Sequence, residues 1–298
     1  MTITLQQLID RADALLGRVE TLLPPPPAEI DWSAATAFRW RKRNGQGRLE
    51  PVKHIAVVTL ANLQNIDRQR AVIERNTRQF VAGRTANNVL LTGARGTGKS
   101  SLIKACLNAF ADQGLRLIEV DKSDLVDLPD LVDLIGARPE RFIIFCDDLS
   151  FEEGESSYKA LKVALDGSIA AQSDNVLIYA TSNRRHLMPE QMKDNLATRH
   201  VDGGNGNVEI HPGDVVEEKI SLSERFGLWV SFYPFRQDEY LAVVDEWMRH
   251  YGCGPTEIDE AKGDALRWAL ERGSRSGRVA HQFARDWAGR SPQSSSDA

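Results

Sequence analysis

Cysteine is scarce in this chain and poorly spaced for chemistry. The three thiols, Cys106, Cys146 and Cys253, are far apart and include no CxxC pair. That excludes a disulfide framework and argues against a zinc site or a redox pair, so all three read as structural. Long apolar runs are missing as well: none approaches the roughly 20 residues needed to cross a bilayer, and no membrane role is expected. There is no surplus of basic residues. A net charge of −5 offers no counterion-release reward for coating nucleic acid, which leaves only local patches for that purpose. The opening residues, Met1-Thr-Ile-Thr-Leu-Gln-Gln, lack the basic and apolar regions of a secretory leader, so a cytoplasmic location is expected. What is present is 298 residues, 42% hydrophobic and 27% charged, enough for a large apolar core that needs no staples.

The most informative stretch is Gly93-Ala94-Arg95-Gly96-Thr97-Gly98-Lys99-Ser100, which fits G-x-x-x-x-G-K-[ST]. An apolar strand-like segment, Asn88 to Thr92, precedes it and a helix-like one, Ser101 to Gln113, follows. In that context the pattern reads as a phosphate-binding loop, since glycines let successive N–H groups and a helix N-terminus face the phosphates. Lys99 is then placed to reach β- and γ-phosphates, and Ser100 to offer a hydroxyl to Mg²⁺. The binding set runs from Gly93 to Ser101.

Upstream, Thr4 and Gln7 form a capping-box pattern. Leu5, Leu8, Ile9, Ala12, Leu15, Leu16, Val19, Leu22 and Leu23 then recur at helical spacing, predicting an amphipathic helix ended by Pro24 to Pro27. Residues Asp31 to Arg48 read as partly helical. Within them Arg39-Trp40-Arg41-Lys42-Arg43 through Arg48 is a basic patch without an acidic residue. It suits either a phosphate-backbone contact with stacking by Trp40, or a solvated surface or contact with an acidic neighbour.

From Ile66 to Phe80 a helix is predicted, and after it strands and helices alternate. The strand candidates, Asn88 to Thr92, Leu115 to Val120, Phe142 to Asp147, Val176 to Thr181 and Leu228 to Tyr233, are short and continuously apolar. Such strands indicate a five-stranded parallel sheet covered on both faces, with ligands at the strands' carboxyl ends. Asp121, Asp124, Asp127, Asp130 and Asp133 recur every three residues; a solvated loop and short helix explain them better than a cation cage. Residues 199–221 are rich in Gly, Asn and Asp and read as an irregular excursion. Three helical stretches, Gln237 to Tyr251, Thr256 to Arg272 and Arg278 to Trp287, suggest a small lid. The tail from Ser291 is expected to fray.

Two strand ends supply candidate chemistry. Phe142-Ile-Ile-Phe-Cys146 leads into Asp147-Asp148. A carboxylate at the end of a buried strand beside a phosphate loop suits a magnesium ligand, and a second can deprotonate attacking water. Asp147 takes the metal role with Ser100, and Asp148 the water role. Val176 to Ala180 leads into Thr181-Ser182-Asn183, which brings an amide, Asn183, to the same edge for the γ-phosphate or the water.

In this order these residues resemble the AAA+ ATPases. Ser221-Leu-Ser-Glu-Arg225-Phe-Gly resembles the segment bearing that family's arginine finger, and Gly277-Arg278-Val its second sensor. The resemblance implies Asn183 as sensor 1, Arg225 as a finger offered to a neighbouring subunit, and Arg278 as sensor 2. More narrowly, Ala86-Asn-Asn-Val-Leu-Leu, Cys146-Asp-Asp-Leu-Ser-Phe-Glu, Thr181-Ser-Asn-Arg-Arg-His-Leu and Leu222-Ser-Glu-Arg-Phe-Gly-Leu-Trp resemble an uncharacterised bacterial AAA+ family, domain of unknown function 815. Asp148 stands where many AAA+ members carry glutamate.

The organisation then expected is a helical extension with a Pro-rich linker over 1–50, an α/β nucleotide-binding core over 51–236, a helical lid over 237–290 and a tail over 291–298. Ile66 and Asp67, with the lid, are expected to flank adenine. The catalytic set is Lys99, Asp148, Asn183, Arg225 and Arg278, working on ATP with Mg²⁺ in a homo-oligomer that acts on a macromolecular partner. Two other readings use the same loop: a nucleotide-gated adaptor or loader recognising its partner through the N-terminal helix and the basic segment, and a small-molecule kinase.

Overall fold

The computed structural model describes residues 5–22, 30–43, 45–55, 57–151, 155–166, 174–183 and 223–290. Thr4, the prolines 24–27, the excursion at 199–221 and the tail from 291 lie outside them. The chain divides into two units, Met1–Trp32 and Ser33–Ala298. The first contains the helix α1 (Leu5–Leu22), where the helical spacing of the leucines places it.

In the second unit the order is β1 (Ala37–Arg43), β2 (Gln46–Pro51), α2 (Asp67–Val81), β3 (Val89–Gly93), α3 (Lys99–Phe110), β4 (Leu115–Glu119), α4 (Leu128–Ile135), β5 (Arg141–Cys146), α5 (Ser156–Asp166), β6 (Val176–Ser182) and β7 (Leu228–Phe232). Three further helices follow: α6 (Gln237–His250), α7 (Pro255–Glu271) and α8 (Gly277–Arg290). The sheet order is β2-β1-β4-β5-β6-β3-β7, so the sheet has seven strands, not the expected five. The five anticipated strands are all present and all parallel. Four of them are buried on both faces, with Leu90, Leu91, Ile143, Ile144 and Tyr179 all 0% exposed, whereas β7 is an edge strand with Trp229 38% exposed. Strand β3, which feeds the Gly93 loop, lies between β6 and β7.

The two additional strands correct the reading of Asp31 to Arg48 as partly helical. Strand β1 pairs parallel with β4 and antiparallel with β2, so residues 37–51 belong to the sheet and not to an extension ending at residue 50. The physical reason is a period of two. Phe38 and Trp40 are buried at 1% and 4%, whereas Arg39 and Arg41 point the other way and form ion pairs. The register Arg43↔Gln46 leaves a two-residue connection, and Gly45 within it has φ 78°. Gly47 makes room for the indole: a Cβ there would come within 1.9 Å of Trp40 Cζ2.

The basic strand and the acidic repeat are partners. Arg39 bonds Glu119 at 2.6 Å, Arg41 bonds Asp121 at 2.6 Å, and Lys42 bonds Asp127 at 2.8 Å. Residues Lys122–Asp127 form a 3-10 turn, whose three residues per turn put Asp121, Asp124 and Asp127 on one side. Asp127 also accepts from Trp40 Nε1 at 3.2 Å and, though charged when ionised, is only 8% exposed. Asp127→Ala strands a buried indole N–H and should cost about 1–3 kcal/mol; urea unfolding with an unchanged midpoint would show that the hairpin is not held this way.

Helices α6, α7 and α8, the segment expected to be a lid, pack on one another. Their shared surface is rich in small residues, Ala261, Ala265, Ala280 and Ala284, all 0% exposed, which lets the backbones approach closely. The Tyr240 hydroxyl donates to Ala265 O at 3.1 Å. Phe232 and Phe235 join the lid's apolar surface to that of the sheet in one core. Among the described residues no helix is long and apolar enough to cross a membrane. Cys106 and Cys146 are free and buried, and burial pushes both thiols up to about 12, as structural cysteines require.

Candidate functional site

Strand β3 ends in Gly93, and the chain then wraps to enter α3 at Lys99. The wrap depends on left-handed glycines: Gly96 has φ 75° and Gly98 φ 97°. Gly93 has φ 129° and lies so close to β7 that a Cβ would come within 1.9 Å of Phe232 O. The first amides of α3, which lack intrahelical partners, thus open at the carboxyl edge of the sheet.

Lys99 is 6% exposed and folds back over its own loop. Its Nζ donates to Gly93 O at 2.7 Å, Ala94 O at 2.8 Å and Asn183 Oδ1 at 3.1 Å. Burial lowers its pKa, against the pull of Asp147 and Asp148 and assisted by Arg278 and Arg95. A desolvated ammonium surrounded only by neutral oxygens and distant carboxylates favours an anion brought within reach.

The strand ends meet here. Ser100 Oγ donates to Asp147 Oδ1 at 2.7 Å. Thr181 Oγ1 donates to the same oxygen at 2.5 Å and accepts from Asp148 N at 2.9 Å. Leu149 N donates to Thr181 O at 2.7 Å. These bonds hold Asp148 at φ 54°, in the left-handed region that costs a non-glycine residue about 1–2 kcal/mol and that aspartate tolerates better than most. Its carboxylate accepts from Asn183 Nδ2 at 2.5 Å and lies 3.4 Å from Arg95 Nη2. One amide therefore bridges Lys99 and Asp148.

A cavity of about 750 Å³ opens over this cluster. Arg95, Gly96, Thr97, Gly98, Lys99, Ser100, Ser101, Asp147, Asp148, Asn183 and Arg278 all line it; Gly93 and Ala94 do not, and their carbonyls instead hold Lys99. Ile66 also lines it. Asp67 does not: it opens α2 and pairs with Arg70 at 2.6 Å. Arg225 is not a lining residue either. It lies just before β7, where Nε donates to Asp166 Oδ1 at 2.5 Å.

The C-terminal helices line the other side. Gly277 N donates to Gly96 O at 2.9 Å, and a Cβ on Gly96 would come within 2.7 Å of Ser276 Oγ. Trp247, His250 and His281 line the cavity. The Trp247 and His281 rings are 4.4 Å apart, and the Tyr251 hydroxyl meets His281 Nε2 at 2.8 Å. Burial, then Arg285 and His250, lower the His281 pKa, so that ring is neutral at pH 7. The sequence reading missed these rings and Thr181. Thr181 was detectable, because it is two residues from Asn183 and shares its face of the strand; the lid rings meet only through packing of α6 on α8.

Ser100 Oγ and Asp147 suit Mg²⁺, a hard ion usually held by one or two carboxylates together with substrate phosphates. Among the described residues no group of three or more His, Cys, Asp or Glu could hold a metal by itself.

A glycine loop between strand β3 and helix α3, an aspartate pair at the end of the next strand but one and an amide at the end of the strand between them are the arrangement of an α/β P-loop fold. Residues 33–291 match the family described as Protein of unknown function (DUF815), and the chain belongs to that family. No curated protein matches it. Among solved structures, the Thermotoga maritima RuvB Holliday junction branch migration motor is 12% identical with a TM-score of 0.41, over 76% of this chain and 68% of that one. The replication initiator DnaA bound to AMPPCP and single-stranded DNA is 13% identical with a TM-score of 0.47, over 77% and 64%. A chain of the E. coli MS115-1 HORMA:CdnC:Trip13 complex is 10% identical with a TM-score of 0.47, over 76% and 90%. Likeness at this level concerns the fold alone.

Proposed function

We propose that this chain binds ATP in the cavity between the Gly93–Ser101 loop and the lid, hydrolyses it to ADP and phosphate, and passes the resulting lid movement to a macromolecular partner. The observation that carries the reading is the convergence of Lys99, Ser100, Asp147, Asp148, Asn183 and Arg278 on one cavity. Loop amides and Lys99 bind the phosphates, and Ile66 with Trp247 and His281 face the base. Ser100 and Asp147 would hold Mg²⁺, which would neutralise phosphate charge.

Asp148 takes a proton from water while Asn183 fixes that water's direction. The water oxygen bonds to the γ-phosphorus as the bond to the β,γ-bridging oxygen breaks, leaving ADP and phosphate. Arg278 adds positive charge from the same chain, and Arg225 adds it from a neighbouring copy, where negative charge builds up in the transition state. Helices Gln237–Arg290 act as the lid: the Gly277 to Gly96 hydrogen bond ties them to the phosphate loop, so differential contacts with ATP and ADP translate into lid position.

A loader that reads nucleic acid through Arg39, Arg41 and Lys42 draws less support, because Glu119, Asp121 and Asp127 already neutralise those cations. Free phosphate should appear from ATP and Mg²⁺ with no added acceptor, at a specific rate that rises with protein concentration. Phosphate transferred only to an added small hydroxyl compound would instead identify a kinase.

A further inference from the structure

We propose that Asp166 is a positioning residue for Arg225, aiming that arginine at the nucleotide of a neighbouring copy; this rests on the reading of Arg225 given above. The backbone around Arg225 is fixed on both sides. Ser223 and Phe226 are 0% and 3% exposed, and Phe226 N donates to Ser223 O at 3.3 Å. Gly227 is packed against Asn87 so tightly that a Cβ would come within 2.3 Å of Asn87 Oδ1. Leu228 N donates to Asn88 O at 3.1 Å and begins β7, which pairs with the strand that ends in the phosphate loop.

The side chain is fixed independently. Arg225 Nε donates to Asp166 Oδ1 at 2.5 Å, with the two side chains 22% and 44% exposed. Asp166 belongs to α5. An arginine held at its backbone and at Nε has lost most of its rotamer freedom before a partner arrives, which is the condition for charge stabilisation without reorganisation. If Asp166 instead stored Arg225 out of use, its removal would speed turnover; positioning predicts slowing.

Mixed subunits test the direction. Subunits with Asp148→Asn keep the arginine and lack the base, and subunits with Arg225→Ala keep the base and lack the arginine, so their mixture should hydrolyse ATP faster than either alone. Asp166→Ala placed in the arginine-donating subunit should lower that mixed rate about 10- to 100-fold with KM for ATP unchanged, and Asp166→Glu there should restore part of it. Asp166→Ala placed in the Arg225→Ala subunit should lower the rate no further. In a uniform population Asp166→Ala should lower kcat by the same factor, and by nothing more once Arg225→Ala is present. Equal losses in both subunits, further loss on top of Arg225→Ala, no loss or a faster rate each overturn the proposal. If uniform Arg225→Ala is as active as the unaltered protein, the reading of Arg225 in trans is itself wrong, a failure separate from that of Asp166.

Discussion

Asp148→Asn should leave ATP binding intact and lower turnover by about 10²- to 10⁴-fold, the usual contribution of a positioned general base. Asparagine is the informative replacement here for a structural reason. Asp148 sits at φ 54°, and asparagine accepts the left-handed region nearly as readily as aspartate, so the turn held by Thr181 and Leu149 survives while the proton acceptor is lost. Asn183 keeps its bond to Lys99 at 3.1 Å and a side-chain oxygen opposite its Nδ2. Turnover within about twofold of the unaltered protein, in a variant that binds ATP equally well, would remove Asp148 from the reaction.

Arg225→Ala should reduce turnover in the assembled protein by about 10³-fold or more, the scale of a cation supplied in trans to a phosphoryl transition state. ATP affinity should change little, because Arg225 does not line the cavity. The stability cost should stay at about 1 kcal/mol or less, since the pair with Asp166 is partly exposed and screened by solvent. Kinetic loss far beyond the stability loss is what separates a functional arginine from a surface ion pair. The rate of the unaltered protein should rise with its concentration, whereas that of Arg225→Ala should stay flat. A concentration-independent rate from a strictly monomeric protein contradicts the assignment.

The parallel core was legible because its signal is local. Each of the five parallel strands is a short apolar run, and β3 runs directly into a glycine loop whose spacing is constrained by phosphate geometry. The aspartates and Asn183 were legible because they stand at the ends of such runs. The hairpin β1–β2 was not, because β1 carries the cations Arg39, Arg41 and Lys42, whose partners, Glu119, Asp121 and Asp127, lie far along the chain. A run of Arg and Lys reads as a solvated patch until those partners are known. Yet the Asn44-Gly45 pair is a strong hairpin signal, and with the alternation of Phe38 and Trp40 it was enough to argue for strands. The three-residue repeat of aspartates likewise took on meaning only as a 3-10 turn facing that hairpin. In the lid, Trp247 and His250 share a helix face by spacing, but their meeting with His281 depends on how α6 packs on α8.

Isothermal titration calorimetry of the folded protein with ATP and Mg²⁺ tests the central claim most directly. Saturable binding at one site per chain, lost in Lys99→Ala, is the predicted result: that variant removes the ammonium held at 2.7 Å from Gly93 O without touching the lid. No saturable heat with ATP from well-folded protein, or undiminished affinity in Lys99→Ala, would contradict it.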